Sequence, residues 1–138
     1  MNSYNGFSPE QRQDAQDWIN AELSAGRLTR PRLCCACGQD HGSFDFHAED
    51  YSEPFGPQTV RYPLCYPCHM MVHCRFRNPK AWVLYRAKVA TGFRVAVPFL
   101  GRNWPRFTGF LNNPEGIAWI PSAPQVGLVL DAINDGRA

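Results

Sequence analysis

Sixty consecutive residues of this chain, 55 to 114, contain no aspartate or glutamate, although nine arginines and lysines fall among them. The preceding 54 residues hold nine acidic and four basic side chains, so a net charge of only +2 conceals a lopsided distribution. So long a stretch without a carboxylate favours a surface that faces a polyanion, most simply nucleic acid. DNA is therefore the expected partner, with RNA second. Long apolar runs are missing as well: no segment approaches the roughly 18 residues that cross a membrane, so no membrane partner is expected. Met1 to Ser8 lack the basic start and apolar stretch of a secretory leader, which points to a reducing, cytoplasmic location. Thiols stay reduced there, so the six cysteines read as metal ligands rather than as disulfides.

A length of 138 residues suits one domain with one modest core. With 12 prolines and 11 glycines, long regular elements should be few. Residues 1–30 read as an N-terminal helix and connector: Ser8 can cap, Pro9 suits the first helical position, Gln11 completes a capping box, and Gly26 closes the helix. Residues 31–92 read as a metal-bound core with a following helix. Within them a short strand fits Phe44 to His47, with Asp45 and His47 on one face and Phe44 and Phe46 on the other. A second strand fits Thr59 to Leu64, with Pro63 confining it to an edge. A helix fits Tyr66 to Phe76, and Asn78-Pro79 ends it and opens another that Gly92 closes. Residues 93–138 start with an alternating strand, Phe93 to Phe99, and continue as an irregular, aromatic-rich extension packed on the core. Trp104, Phe107, Phe110 and Trp119 make that extension a candidate surface for a protein partner.

Two Cys-x-x-Cys turns, Cys34/Cys37 and Cys65/Cys68, carry the strongest chemical signal. Each such turn presents two thiolates at bonding distance, and two of them complete the closed tetrahedral site that structural Zn²⁺ prefers. Cys35 is an alternative to Cys34, and Cys74 reads as a small buried side chain. His69 and His73, one helical turn apart, share a helix face where both imidazoles can reach one metal or phosphate. Arg75, Arg77 and Lys80 cluster at the end of the same helix and, with Arg61, are the candidate phosphate contacts.

Cys34-x-x-Cys37, a strand ending in His47, and Leu64-Cys65-x-x-Cys68-His69-x-x-x-His73 together resemble the HNH endonucleases of the ββα-metal, or His-Me finger, fold. The resemblance covers roughly Cys34 to Asn78. Val60-Arg61 before Leu64-Cys65 is similar to the second strand of phage recombination endonucleases. The resemblance implies an α+β protein with a small zinc-bound ββα core, His47 as general base, and His69 and His73 as ligands of a catalytic divalent ion such as Mg²⁺. Hydrolysis of a phosphodiester needs a base of near-neutral pKa and a cation to offset charge on the phosphate, and these residues supply both. Asp45, on the face of His47, would orient it or bind the ion, and Asp50 is a weaker candidate. The chain departs from the family where Phe46 precedes His47 and where Thr59-Val60 replaces the usual asparagine. A noncatalytic zinc module that binds nucleic acid or protein, of phage or mobile-element origin, is the alternative function.

Overall fold

In a computed structural model, residues 1–96, 102, 104–122 and 128–136 of the chain are described. The protein is α+β, with two small two-stranded sheets among the described residues. Helix α1, Pro9–Ser24, opens on the expected capping box: Ser8 Oγ accepts from the Gln11 amide at 3.1 Å and Gln11 Oε1 accepts from the Ser8 amide at 2.8 Å. Gly26, at φ +75°, supplies the left-handed residue that ends it. Strand β1 occupies Phe44–His47 as expected and pairs antiparallel with β2, Tyr62–Cys65, in the register Phe44 to Cys65 and His47 to Tyr62. Helix α2, Tyr66–Cys74, follows without a connecting residue because Cys65 both ends β2 and caps α2. Helix α3, Pro79–Ala90, is capped by Asn78 Oδ1, which accepts from the Ala81 amide at 3.2 Å.

The second strand is shorter than its sequence suggests. Thr59 and Val60 lie in a 3-10 turn, Pro57–Val60, in which Thr59 Oγ1 accepts the Gly56 amide at 3.2 Å. Pro57 and this side-chain bond compete with extension, so pairing starts only at Tyr62. Pro63 sits in the pair opposite Phe46, with its carbonyl accepting the Cys35 amide at 2.8 Å.

The larger departure is in the described part of the C-terminal region, residues 93–96, 104–122 and 128–136, which carries regular elements. Strand β3, Phe93–Val95, pairs antiparallel with β4, Trp119–Pro121, and helices α4, Trp104–Asn112, and α5, Leu128–Gly136, accompany them. The expected extension of β3 to Phe99 falls on residues outside those described. Phe107 and Phe110 sit one turn apart on α4, as do Leu130 and Ile133 on α5, and all four are buried. They join Leu64, Met71, Val72, Trp82 and Tyr85 in one hydrophobic cluster with the four ligand-spaced cysteines. The C-terminal aromatics Phe107 and Phe110 are thus core residues, unavailable as a partner surface. Truncating Phe110 removes a fully buried ring, so Phe110→Ala is expected to lower unfolding free energy by about 3–5 kcal/mol. Urea unfolding checks this, and an unchanged midpoint would show that α4 is not part of the core.

Candidate functional site

Cys34, Cys37, Cys65 and Cys68 form a buried group able to hold one metal ion, their sulfurs all within 4.8 Å of one another. Cys37 and Cys65 sulfurs stand 3.6 Å apart, close to the roughly 3.8 Å edge of a tetrahedron with 2.3 Å zinc–sulfur bonds. The first turn is a tight knuckle: the Cys37 amide points at Cys34 Sγ at 3.5 Å, and Gly38 follows at φ +75°. Each thiol is at most 1% exposed. Burial pushes the Cys65 and Cys68 thiols upward, and a cation is what draws such protons off. Cys35 lies outside the group; burial, then the charge of Cys34, raises its thiol to about 12. Cys74 is buried, as expected, and accepts from Arg77 at 2.9 Å.

The second group is His47, His69 and His73, one ring nitrogen of each lying within 4.8 Å of the others. His47 comes from the end of β1, and the other two from one face of α2. His69 and His73 present their Nε2 atoms to each other at 3.0 Å, near the roughly 3.3 Å separation of two nitrogens on one tetrahedral ion. Behind His69, its Nδ1 faces Asp45 Oδ2 at 3.7 Å. Behind His47, its Nε2 lies 2.5 Å from Glu49 Oε2. Burial alone would raise the Glu49 carboxyl, but hydrogen bonds from His47 and Tyr4 and the charge of Arg75 outweigh it and hold the group at about 2. An ionised carboxylate only accepts, so the proton of neutral His47 sits on Nε2. Its Nδ1 keeps a lone pair in a buried position with no hydrogen-bond partner. An imidazole with one nitrogen on a carboxylate and the other unpartnered is arranged as metal-ligating histidines are.

These donors do not suit the expected Mg²⁺. Three imidazole nitrogens favour zinc, nickel, copper or iron, whereas Mg²⁺ seeks oxygen ligands. His69 and His73 are half-buried, whereas His47 is 1% exposed. Asp45 contacts His69 and Arg102 rather than His47. Asp50 is exposed and holds the turn at Ser52, whose amide donates to it at 2.8 Å.

Three residues that matter here escape a reading of the sequence. Tyr4 packs its ring on His73, with centroids 4.7 Å apart, and on His47, and its hydroxyl donates to Glu49. An Asn5-Gly6 pair places it there through a tight turn, both residues at positive φ and Tyr4 and Phe7 bonded to each other's backbone. That pair is the sequence signature of a type I′ turn. Glu49 shares the parity of Asp45 and His47 but lies past the strand end. Arg75 corrects an expectation outright: it is 2% exposed, donating to Glu49 at 2.6 Å, Tyr4 at 2.6 Å and the Val72 carbonyl at 2.7 Å. It extends the buried stripe Cys68, Met71, Val72, so it faces inward and cannot serve as a phosphate contact. Arg61, Arg77 and Lys80 are exposed.

Structural zinc in small modules contributes on the order of 10–16 kcal/mol of apparent binding energy. Elemental analysis is expected to find about one zinc per chain that resists mild chelation, with Cys65→Ser abolishing it and the cooperative melt. A metal-free protein with an unchanged melting curve would rule this out. Burial lowers His47 to about 4, and burial with the neighbouring imidazoles lowers His73 to about 2. In protein with zinc at the cysteines alone, NMR titration is therefore expected to show His47 neutral down to about pH 4. The unfolded chain takes up that proton near the usual pH of about 6.5. Stability from His47 is thus complete above about 6.5 and declines as pH falls toward 4. An ordinary titration near 6.5 would show the ring to be solvated.

No protein-family model, curated protein or solved structure matches the chain.

Proposed function

We propose that the chain is a metal-dependent endonuclease of the HNH, ββα-metal kind that hydrolyses phosphodiester bonds of DNA. The observation that carries this reading is the convergence of His47 from β1 with His69 and His73 from α2. Two paired strands leading straight into a helix support a ββα-metal core, and the closed four-cysteine group supports a structural Zn²⁺. His47 acts as a ligand through Nδ1 rather than as general base, because Glu49 engages its other nitrogen. Glu49 fixes the tautomer and aim of that ring, while Asp45, 3.7 Å from His69 Nδ1, contributes its charge without a hydrogen bond. His47, His69 and His73 would hold a divalent ion, which when bound would supply Lewis acidity toward the scissile phosphate and activate water. Substrate reaches the rings from the side of His69 and His73, which line an open cleft.

Plasmid nicking with Zn²⁺, Ni²⁺, Co²⁺ or Mn²⁺ tests the proposal. The parent protein is expected to cleave, with His69→Ala and His73→Ala losing at least about 100-fold, partly restored by excess ion, since charge stabilisation by such ions amounts to several kcal/mol. Glu49→Gln is expected to lose about 10- to 100-fold. One observation favours a second reading, a noncatalytic zinc module that binds nucleic acid. With three histidines serving as ligands, the fourth, His41, is exposed and paired with Asp40, leaving no imidazole as base. Absence of cleavage with every ion, alongside intact salt-dependent DNA binding, would select the module over the nuclease.

A further inference from the structure

A cleft of about 250 Å³ runs between α1 and the face formed by β1 and α2, with His69 and His73 in its wall. Its charge is one-sided. Arg12, Arg30 and Arg102 line it, and Asp45, its single acidic residue, already pairs with Arg102. Arg30 is exposed and makes no ion pair among the described residues. Arg12 lies over the rings of Tyr4 and Tyr51 at 5.4 and 5.3 Å from their centroids, with its Nε buried and unpartnered. None of the three belongs to the basic cluster that the sequence suggests for phosphate binding.

The rest of the lining is aromatic and amide. Phe44 and Phe46 are half-buried in it, beside Tyr51, whose ring lies under Arg12. Gln16 and Asn20, one turn apart on α1, share a hydrogen bond of 3.0 Å, leaving Gln16 Oε1 and Asn20 Nδ2 for another partner. Cationic side chains, flat apolar faces and amides in one recess match the three parts of a nucleotide: phosphate, stacked base and base edge. At about 250 Å³ the cleft lies just under the roughly 300 Å³ at which pockets for drug-sized molecules begin, room for one base with its phosphate at the mouth and far too little for a duplex.

We infer that the cleft binds one unpaired nucleotide, next to the phosphate that lies at His69 and His73, so that the preferred substrate is single-stranded or locally opened nucleic acid. This rests on the nuclease reading for its catalytic meaning, but the binding it requires does not.

The test uses full-length protein with zinc at the cysteines and mild chelation to keep the histidines free of ions, so that nothing is cut. Fluorescence anisotropy compares a short oligothymidylate with a duplex of the same length. The single strand is expected to bind at least about tenfold more tightly, in keeping with the strength of base–aromatic stacking. Asn20→Trp, on the exposed face of α1, fills the cleft and should erase that preference. Arg30→Gln should weaken binding and reduce the slope of log K against log salt by about 0.7. Zinc content and melting temperature show whether either variant is misfolded. Equal affinity for both forms, or variants that bind as the parent does, would overturn the inference. A single-strand preference without cleavage by any ion sinks the nuclease reading and leaves the cleft standing. Duplex nicking that Asn20→Trp leaves unaltered does the reverse.

Discussion

Four cysteine sulfurs gathered in a dry space impose the geometry on which the rest of the molecule depends. Two come from a knuckle with no regular structure of its own, one from the end of β2 and one from the first turn of α2. Desolvated thiolates repel unless a cation holds them, so the cluster would stand or fall with an ion bound there. The knuckle is then tied outward. Its Cys35 amide reaches Pro63, the buried Gln39 side chain donates to the Val95 carbonyl at 2.7 Å, and Ser122 donates to the Cys37 carbonyl. The C-terminal strand pair is thereby fastened to the same centre as the histidine-bearing elements.

A second constraint lies two turns further along α2, at its C-terminal end. A buried guanidinium needs its charge paired, and removing one partner of such a pair costs about 3–5 kcal/mol. Glu49 pairs the charge of Arg75, and Tyr4 and a backbone carbonyl take further N–H groups, leaving Nε buried and unpartnered. The same carboxylate holds His47, so the charge that stabilises the end of α2 also sets the ring at the end of β1. Tyr4 closes this network from the N-terminus, which makes the first residues part of the site rather than an appendage to it.

Much of this is legible in residue order alone. The capping box at Ser8, the four-residue β1, the cysteine pairs and the i, i+4 histidines depend on local rules, and local rules read directly from the sequence. The use of His47 together with the helix histidines is an expectation from resemblance, and the three rings do lie together. What escapes is non-local. Arg75 looks like its neighbour Arg77 in the sequence, and only the stripe begun at Cys68 distinguishes an inward position from an outward one. Tyr4 and Glu49 are separated by 45 residues, and their meeting depends on where a turn delivers the chain. Helices α4 and α5 are obscured because proline and glycine near Phe107 and Phe110 mask a helical spacing that tertiary burial then enforces.

Cys65 belongs at once to a strand and to a helix cap, and this limits how the chain can vary in length. One residue added between β2 and His69 turns the rest of α2 by about 100° about its axis. His69, His73 and Arg75 would swing off their partners together, while Cys68 left its own. The stretch between Tyr51 and Arg61 is under no such restriction, since its turns lie outside the strand pair and supply no member of the cysteine or histidine group. Insertions and deletions among descendants of this sequence should therefore collect in that loop, leaving the interval from Tyr62 to Arg75 fixed in length even where its residues change.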